Sequence, residues 1–125
     1  FSITYDPNWL RLWEKRFNNP LDDAETFRID SEHNLKEIGA RTDNINEIQG
    51  QYMGLIKLKP NGWKQISEFL KKIGKDNWKR IQMTELMQKL IINNVLNISA
   101  VPYFGEWGEV DSISDLNFYM KSSNL

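Results

Sequence analysis

The chain of 125 residues has no cysteine, so disulfides and thiolate chemistry are excluded. It has a single histidine, His33, in the polar run Ser31-Glu32-His33-Asn34, and with no second histidine or cysteine to complete a set, neither a zinc centre nor a nucleophile–base triad can be assembled. No apolar run approaches the roughly 18 residues that a membrane helix needs, and Phe1-Ser2-Ile3-Thr4 lacks the charged and apolar regions of a signal peptide. A soluble, cytoplasmic chain with no membrane partner is expected. There is no excess of either charge, with 16 basic against 17 acidic residues, and therefore no broad basic face with which to bind nucleic acid. No internal repeat, low-complexity tract or linker interrupts the chain.

Aromatic residues, by contrast, are plentiful. Five Trp, six Phe and four Tyr within a chain that is 40% hydrophobic suit either a dense small core or an aromatic pocket, and the length allows one modest core and one domain.

Taken in order, Ser2 to Tyr5 reads as a short strand, and Asp6-Pro7 as the N-cap and first residue of a helix. Trp9, Leu10, Trp13 and Phe17 form the apolar stripe of that helix, with Trp9 at its start open to either core packing or ligand contact. After Asn18-Asn19-Pro20, the stretch Asp22-Asp23-Ala24-Glu25 places three carboxylates in four positions ahead of a strand from Thr26 to Asp30. The cluster is either a solvated loop or a seat for a cationic head group, with Glu25 as its pocket member. Leu35 to Gly39 closes a hairpin, and a polar loop containing Arg41 leads into the strand Gln51 to Leu58.

Gly54 within that strand weakens the sheet unless something approaches the backbone there, and of Tyr52 and Met53 beside it one should face the core and the other a pocket. A helix follows from Pro60 to the stop at Gly74, with Trp63, Ile66, Phe69, Leu70 and Ile73 as its stripe. Asp76 to Ile81 reads as a link, Thr84 as the cap of a helix burying Leu86, Met87, Leu90 and Ile91, and Val95 to Tyr103 as a strand. Next comes Gly105-Glu106-Trp107-Gly108-Glu109-Val110-Asp111, whose alternation predicts an extended strand with Trp107, Glu109 and Asp111 on one face. Ser112 with Asp115 three residues on predicts a capping box opening a helix that carries Leu116 and Tyr119. Two oxygen donors at a strand end beside a helix N-terminus could hold magnesium and a phosphate, but on these residues alone a solvated acidic strand end followed by a capped helix is the favoured reading.

The run Trp107-Gly108-Glu109-Val110-Asp111-Ser112 with Asp115-Leu116 resembles the closing motif of the nucleotidyltransferases that activate sugar phosphates and phosphocholine. Ile48 to Lys57 resembles the substrate-binding strand of that family, and Asp6-Pro7-Asn8-Trp9, Trp13 to Arg16, Pro20 to Glu25 and Met83-Thr84 are similar to the branch of phosphocholine or aminoethylphosphonate cytidylyltransferases, including the domain joined to phosphoenolpyruvate mutases. The resemblance implies an α/β fold: the second half of a Rossmann-like, three-layer nucleotidyltransferase domain with an antiparallel hairpin, residues 1–125 forming one partial domain. The glycine-rich nucleotide loop and the first metal-binding Asp of the family have no counterpart here.

It further implies Mg2+ held by Asp111, with Glu109 and Trp107 shaping that site, Gly54 admitting substrate, Glu25 with Tyr52 reading its head group, and Trp9 nearby. The implied partners are a nucleoside triphosphate, with CTP favoured, and a small phosphorylated or phosphonate acceptor. A half-domain would leave open a sheet edge, expected at Ser2 to Tyr5 and at the Gly54 strand, and would self-associate there, with Trp9 and Trp107 partly open. A non-catalytic binding module is the rival expectation.

Overall fold

The fold is built around one short strand. In the computed structural model, which describes residues 1–122, β1 (Ser2–Asp6) lies between two neighbours, β4 (Gln51–Lys57) antiparallel on one side and β5 (Ser99–Pro102) parallel on the other. Ile3 and Tyr5 are buried as alternation requires. A second sheet is the antiparallel hairpin of β2 (Phe27–Ile29) and β3 (Leu35–Ile38). The hairpin turn covers the outer side of β5, where Leu35 N donates to Ile98 O at 2.8 Å and Ala100 N donates to His33 O at 2.8 Å.

The chain is thus a mixed α/β structure with the expected hairpin. The expected edge at Ser2 to Tyr5 is overturned, because β1 has ladder partners on both sides. Among the described residues the free edge is β4, whose outer half is open to solvent with Leu55 62% exposed.

Helix α1 (Trp9–Arg16) begins later than Asp6-Pro7 suggested. Asp6 ends β1 and accepts the Asn8 N–H at 2.7 Å, closing the strand-to-helix turn instead of capping the helix. Helix α2 (Pro60–Ile73) has Pro60 in its first turn and stops at Gly74 with φ of 87°, as read, but only Ile66 of its stripe is fully buried and Trp63 is 57% exposed. The link at 76–81 contains one further turn, α3 (Lys75–Trp78).

Helix α4 (Met83–Ile92) starts one residue before the expected cap, so Thr84 lies inside the first turn, and Leu86, Met87 and Leu90 are buried as expected. Strand β5 is shorter than the expected 95–103, and Tyr103 N extends its ladder by donating to Tyr5 O at 2.9 Å.

The core has three parts that meet around β1 and the hairpin. Ile3, Tyr5, Phe27, Leu35, Ile38, Met87, Ile98 and Ala100 form the largest; Tyr5 stacks on Phe27 at 5.0 Å. Trp9, Trp13, Ala24 and Ile48 form the second, under α1. Ile66, Leu86 and Leu90 join α2 to α4. Among the described residues no helix is long and apolar enough to cross a membrane.

Candidate functional site

The expected strand at 107–111 does not form. Residues 103–112 run as irregular backbone from the end of β5 to α5 (Ile113–Ser122), because side chains of α1 and β1 hold this segment where a ladder would otherwise have to. The first hold is Trp107, whose indole Nε1 donates to Asp6 Oδ2 at 2.7 Å while its ring lies 5.8 Å from that of Trp13. The second is Arg16, the last residue of α1. Its Nε donates to Asp115 at 2.9 Å, Nη1 to Glu109 at 3.2 Å and Nη2 to Asp111 at 3.5 Å. The guanidinium carbon sits 4.8 Å from the Trp13 ring centre and 4.9 Å from that of Phe17, so cation–π attraction and packing hold the fork in place.

The capping box is present as read. Asp115 N donates to Ser112 Oγ at 3.2 Å, and Asp115 Oδ2 accepts from the backbone N–H groups of Ser112 and Asp111, both at 3.1 Å. One carboxylate therefore caps α5 and binds Arg16 together. The Arg16 hydrogen bond is the largest influence holding the Asp115 carboxyl well below the usual range. Burial pushes the Glu109 carboxyl up, against the pull of Arg16. Gly108 completes the corner: a Cβ there would stand 2.4 Å from the Tyr119 ring, whose hydroxyl accepts the Glu109 N–H at 3.2 Å. The corner lies where the parallel strands β1 and β5 end, the place at which open α/β sheets collect ligands.

The structure therefore brings Trp107, Glu109 and Asp111 together with the capping residue Asp115, and with Asp6 and Arg16, which were not expected in the site. The signal for Arg16 was present in the sequence, since three acids at 109, 111 and 115 call for a counter-charge, but nothing in spacing could say which base supplies it.

The other expected residues lie elsewhere. Trp9 is 3% exposed, and its Nε1 donates to Ile48 O at 3.2 Å, so it is a core residue and not a ligand contact. Tyr52 stands opposite Tyr5 in the ladder and packs on the largest core, which corrects its assignment to a pocket face; burial raises its hydroxyl pKa. Gly54 has φ of 79° and open space where a Cβ would be. The β1–β4 register slips around it, from Ile3 opposite Ile56 to Tyr5 opposite Tyr52, so the glycine is required by a bulge and leaves the backbone accessible from outside.

Glu25 does line a cavity, of ≈ 430 Å³, between the hairpin and α4, together with Glu37, Thr84, Glu85, Gln88 and Lys89. Burial raises its carboxyl pKa, the charge of Arg41 opposes this and that of Asp23 adds to it.

Asp111 is the most open carboxylate of the corner. Its side chain is 73% exposed, and the 3.5 Å tie from its carboxylate to Arg16 is long. Among the described residues no three acidic, histidine or cysteine side chains are grouped to hold a metal, so Asp111 could be at most one ligand from this chain.

A CTP:phosphoglutamine cytidylyltransferase of Campylobacter jejuni subsp. jejuni serotype O:2 is 35% identical over 121 residues, covering 92% of this chain and 47% of the relative. Along that span the chain is similar to a cytidylyltransferase-like nucleotidyltransferase. It spans about half the length of the curated relative it matches. No family model matches the chain, and no solved structure does.

Proposed function

We propose that this chain is the acceptor half of an enzyme that transfers a cytidylyl group from CTP to a small phosphorylated or phosphonate molecule. The observation that carries the reading is the likeness to a cytidylyltransferase along 92% of the chain. In the reaction an acceptor oxygen forms a bond to the α-phosphorus of CTP, the bond from that phosphorus to the bridging oxygen breaks, and pyrophosphate leaves. Positioning and neutralisation of charge supply most of the catalysis in such a step. A magnesium ion, when bound, would supply the neutralisation, and Asp111 would be its ligand from this chain.

Trp107, fixed on Asp6, and Glu109, fixed on Arg16, shape the wall beside Asp111. Gly54 offers a stretch of backbone that a substrate can approach. Glu25 supplies a carboxylate for the head group of the acceptor, which by branch resemblance carries an amine, as phosphocholine-like or 2-aminoethylphosphonate-like molecules do; phosphoglutamine, named for the relative, belongs in the same trial. The nucleotide half, and with it a three-layer domain, would be completed by residues outside this chain, and the reaction would take place in the cytoplasm.

The acidic corner, already neutralised in part by Arg16, favours one rival: a module that binds without transferring. Pyrophosphate release by the full-length protein, with CTP, magnesium and each acceptor in turn, separates the two. Turnover with at least one acceptor is expected. No turnover with any, alongside measurable acceptor binding, would establish the module.

The open β4 edge also supports self-association of the isolated chain. Sedimentation over a range of concentrations should show a dimer that Leu55→Lys weakens; a monomer at every concentration would remove the oligomer from the account.

A further inference from the structure

The three carboxylates that share Arg16 differ in a graded way. Asp115 is bound at 2.9 Å with its side chain 4% exposed, Glu109 at 3.2 Å with 33%, and Asp111 at 3.5 Å with 73%. Bond length and exposure rise together, from a buried anchor to an open group. The Arg16 side chain is itself out of solvent, packed against the Trp13 and Phe17 rings at the end of α1. It is a rigid fork, and each of three nitrogens faces a different carboxylate.

We infer that Arg16 is the positioning residue for Asp111: by anchoring Asp115 and Glu109 on either side, it fixes where the intervening backbone presents the Asp111 carboxylate, which is left outward and weakly held. The inference rests on the reading above, in which Asp111 works on metal and substrate.

Two further observations exclude a simple neutralising role. One guanidinium faces three carboxylates, so the corner keeps an excess of negative charge and remains attractive to a cation. Residues 104–112 have no strand ladder of their own, so the side-chain ties to Arg16 and Asp6, with the backbone bonds to Asp115 and Tyr119, hold the segment. A lysine at 16 would preserve the charge but not the fork, since a single ammonium cannot meet three carboxylates approaching from different directions in one plane.

The test uses the full-length protein and four variants: Arg16→Lys, Arg16→Met, Asp111→Asn and the double variant Arg16→Lys/Asp111→Asn. Turnover of CTP is measured, together with Mn2+ binding read from the loss of the free-ion electron paramagnetic resonance signal without turnover. Arg16→Lys should keep its fold by circular dichroism, lose about 10- to 100-fold in kcat, as displacement of a catalytic group by about 1 Å does, and bind Mn2+ several-fold more weakly. The double variant should be no slower than Asp111→Asn alone, because both changes act through the same carboxylate. Should Arg16→Met fail to fold, Asp115→Asn, which releases the anchor with Arg16 in place, takes its part.

Wild-type kcat and Mn2+ binding in folded Arg16 variants, beside a disabled Asp111→Asn, would overturn the positioning role and leave the proposed function standing. Wild-type turnover in Asp111→Asn would overturn both.

Discussion

Two acidic regions of the molecule have opposite designs. In the corner at the ends of β1 and β5, Glu109, Asp111 and Asp115 converge on one buried arginine. In the cavity between the hairpin and α4, Glu25, Glu37 and Glu85 line an open space, and the bases near them are exposed: Arg41 acts on Glu25, Arg28 is 3.4 Å from Glu37 and Lys89 is 3.8 Å from Glu85. The first region spends its counter-charge on geometry, holding carboxylates in fixed places. The second leaves a carboxylate without a buried partner base, and so suits a ligand that brings its own positive charge.

The largest effect should follow from breaking the corner. Arg16→Ala removes a buried cation from among three acids and is expected to destabilise the fold by about 3–5 kcal/mol in denaturant melts. Comparable truncation of a base paired with a cavity carboxylate, Arg28→Ala, removes an exposed pair and should cost about 0–1 kcal/mol. Equal costs at the two sites would remove the distinction.

Next in size is the second pin of the corner. Asp6 is 7% exposed and accepts from both Trp107 Nε1 and Asn8 N. Asp6→Ala should cost about 2–3 kcal/mol and raise quenching of tryptophan fluorescence by acrylamide as Trp107 is released. Unchanged quenching would mean that packing on Trp13 alone holds the ring.

The smallest effects are in the pH dependence, and they have opposite signs. Asp115 has a folded pKa below its unfolded value, so its contribution is complete above the ordinary Asp range and is lost as pH falls toward the low folded value. Glu25 has a folded pKa above its unfolded value, because burial disfavours its charge. Its ionisation therefore lowers stability as pH rises through the raised pKa, and Glu25→Gln should raise the melting midpoint at neutral pH but not at about pH 3.5, where the acid is protonated in both states. Asp115→Asn should do the reverse, with a loss at neutral pH that shrinks in acid. The same sign for both would contradict the contrast between the regions.

Much of the local structure was legible in the sequence. The hairpin around Ser31 to Asn34, the helix from Pro60 to Gly74 and the Ser112/Asp115 capping box all follow from signals confined to a few neighbouring residues, which is why they could be read. The corner was only half legible. Alternation at 107–111 looked like a strand, but alternation reports only that side chains diverge; whether a ladder forms depends on a neighbour, and here Asp6 and Arg16 take that place from about a hundred residues away.

The central position of β1 was hidden for the same reason, since strand order is a long-range property. Trp9 at the start of a helix could face either way, and only the position of Ile48 decides that it faces the core. Glu25, ahead of a strand, lines a cavity, but that α4 forms its other wall is a long-range property that spacing does not carry.

The central claim is that the corner exists to present Asp111. Turnover of the full-length Asp111→Asn variant, at saturating CTP, acceptor and magnesium, tests it most directly. Asp111 has only a long, exposed tie to Arg16, so the substitution should leave the melting midpoint close to that of wild type while lowering kcat by about 100-fold or more, the signature of a group used in the reaction and not in the fold. A variant that melts normally and turns over at the wild-type rate would contradict the account.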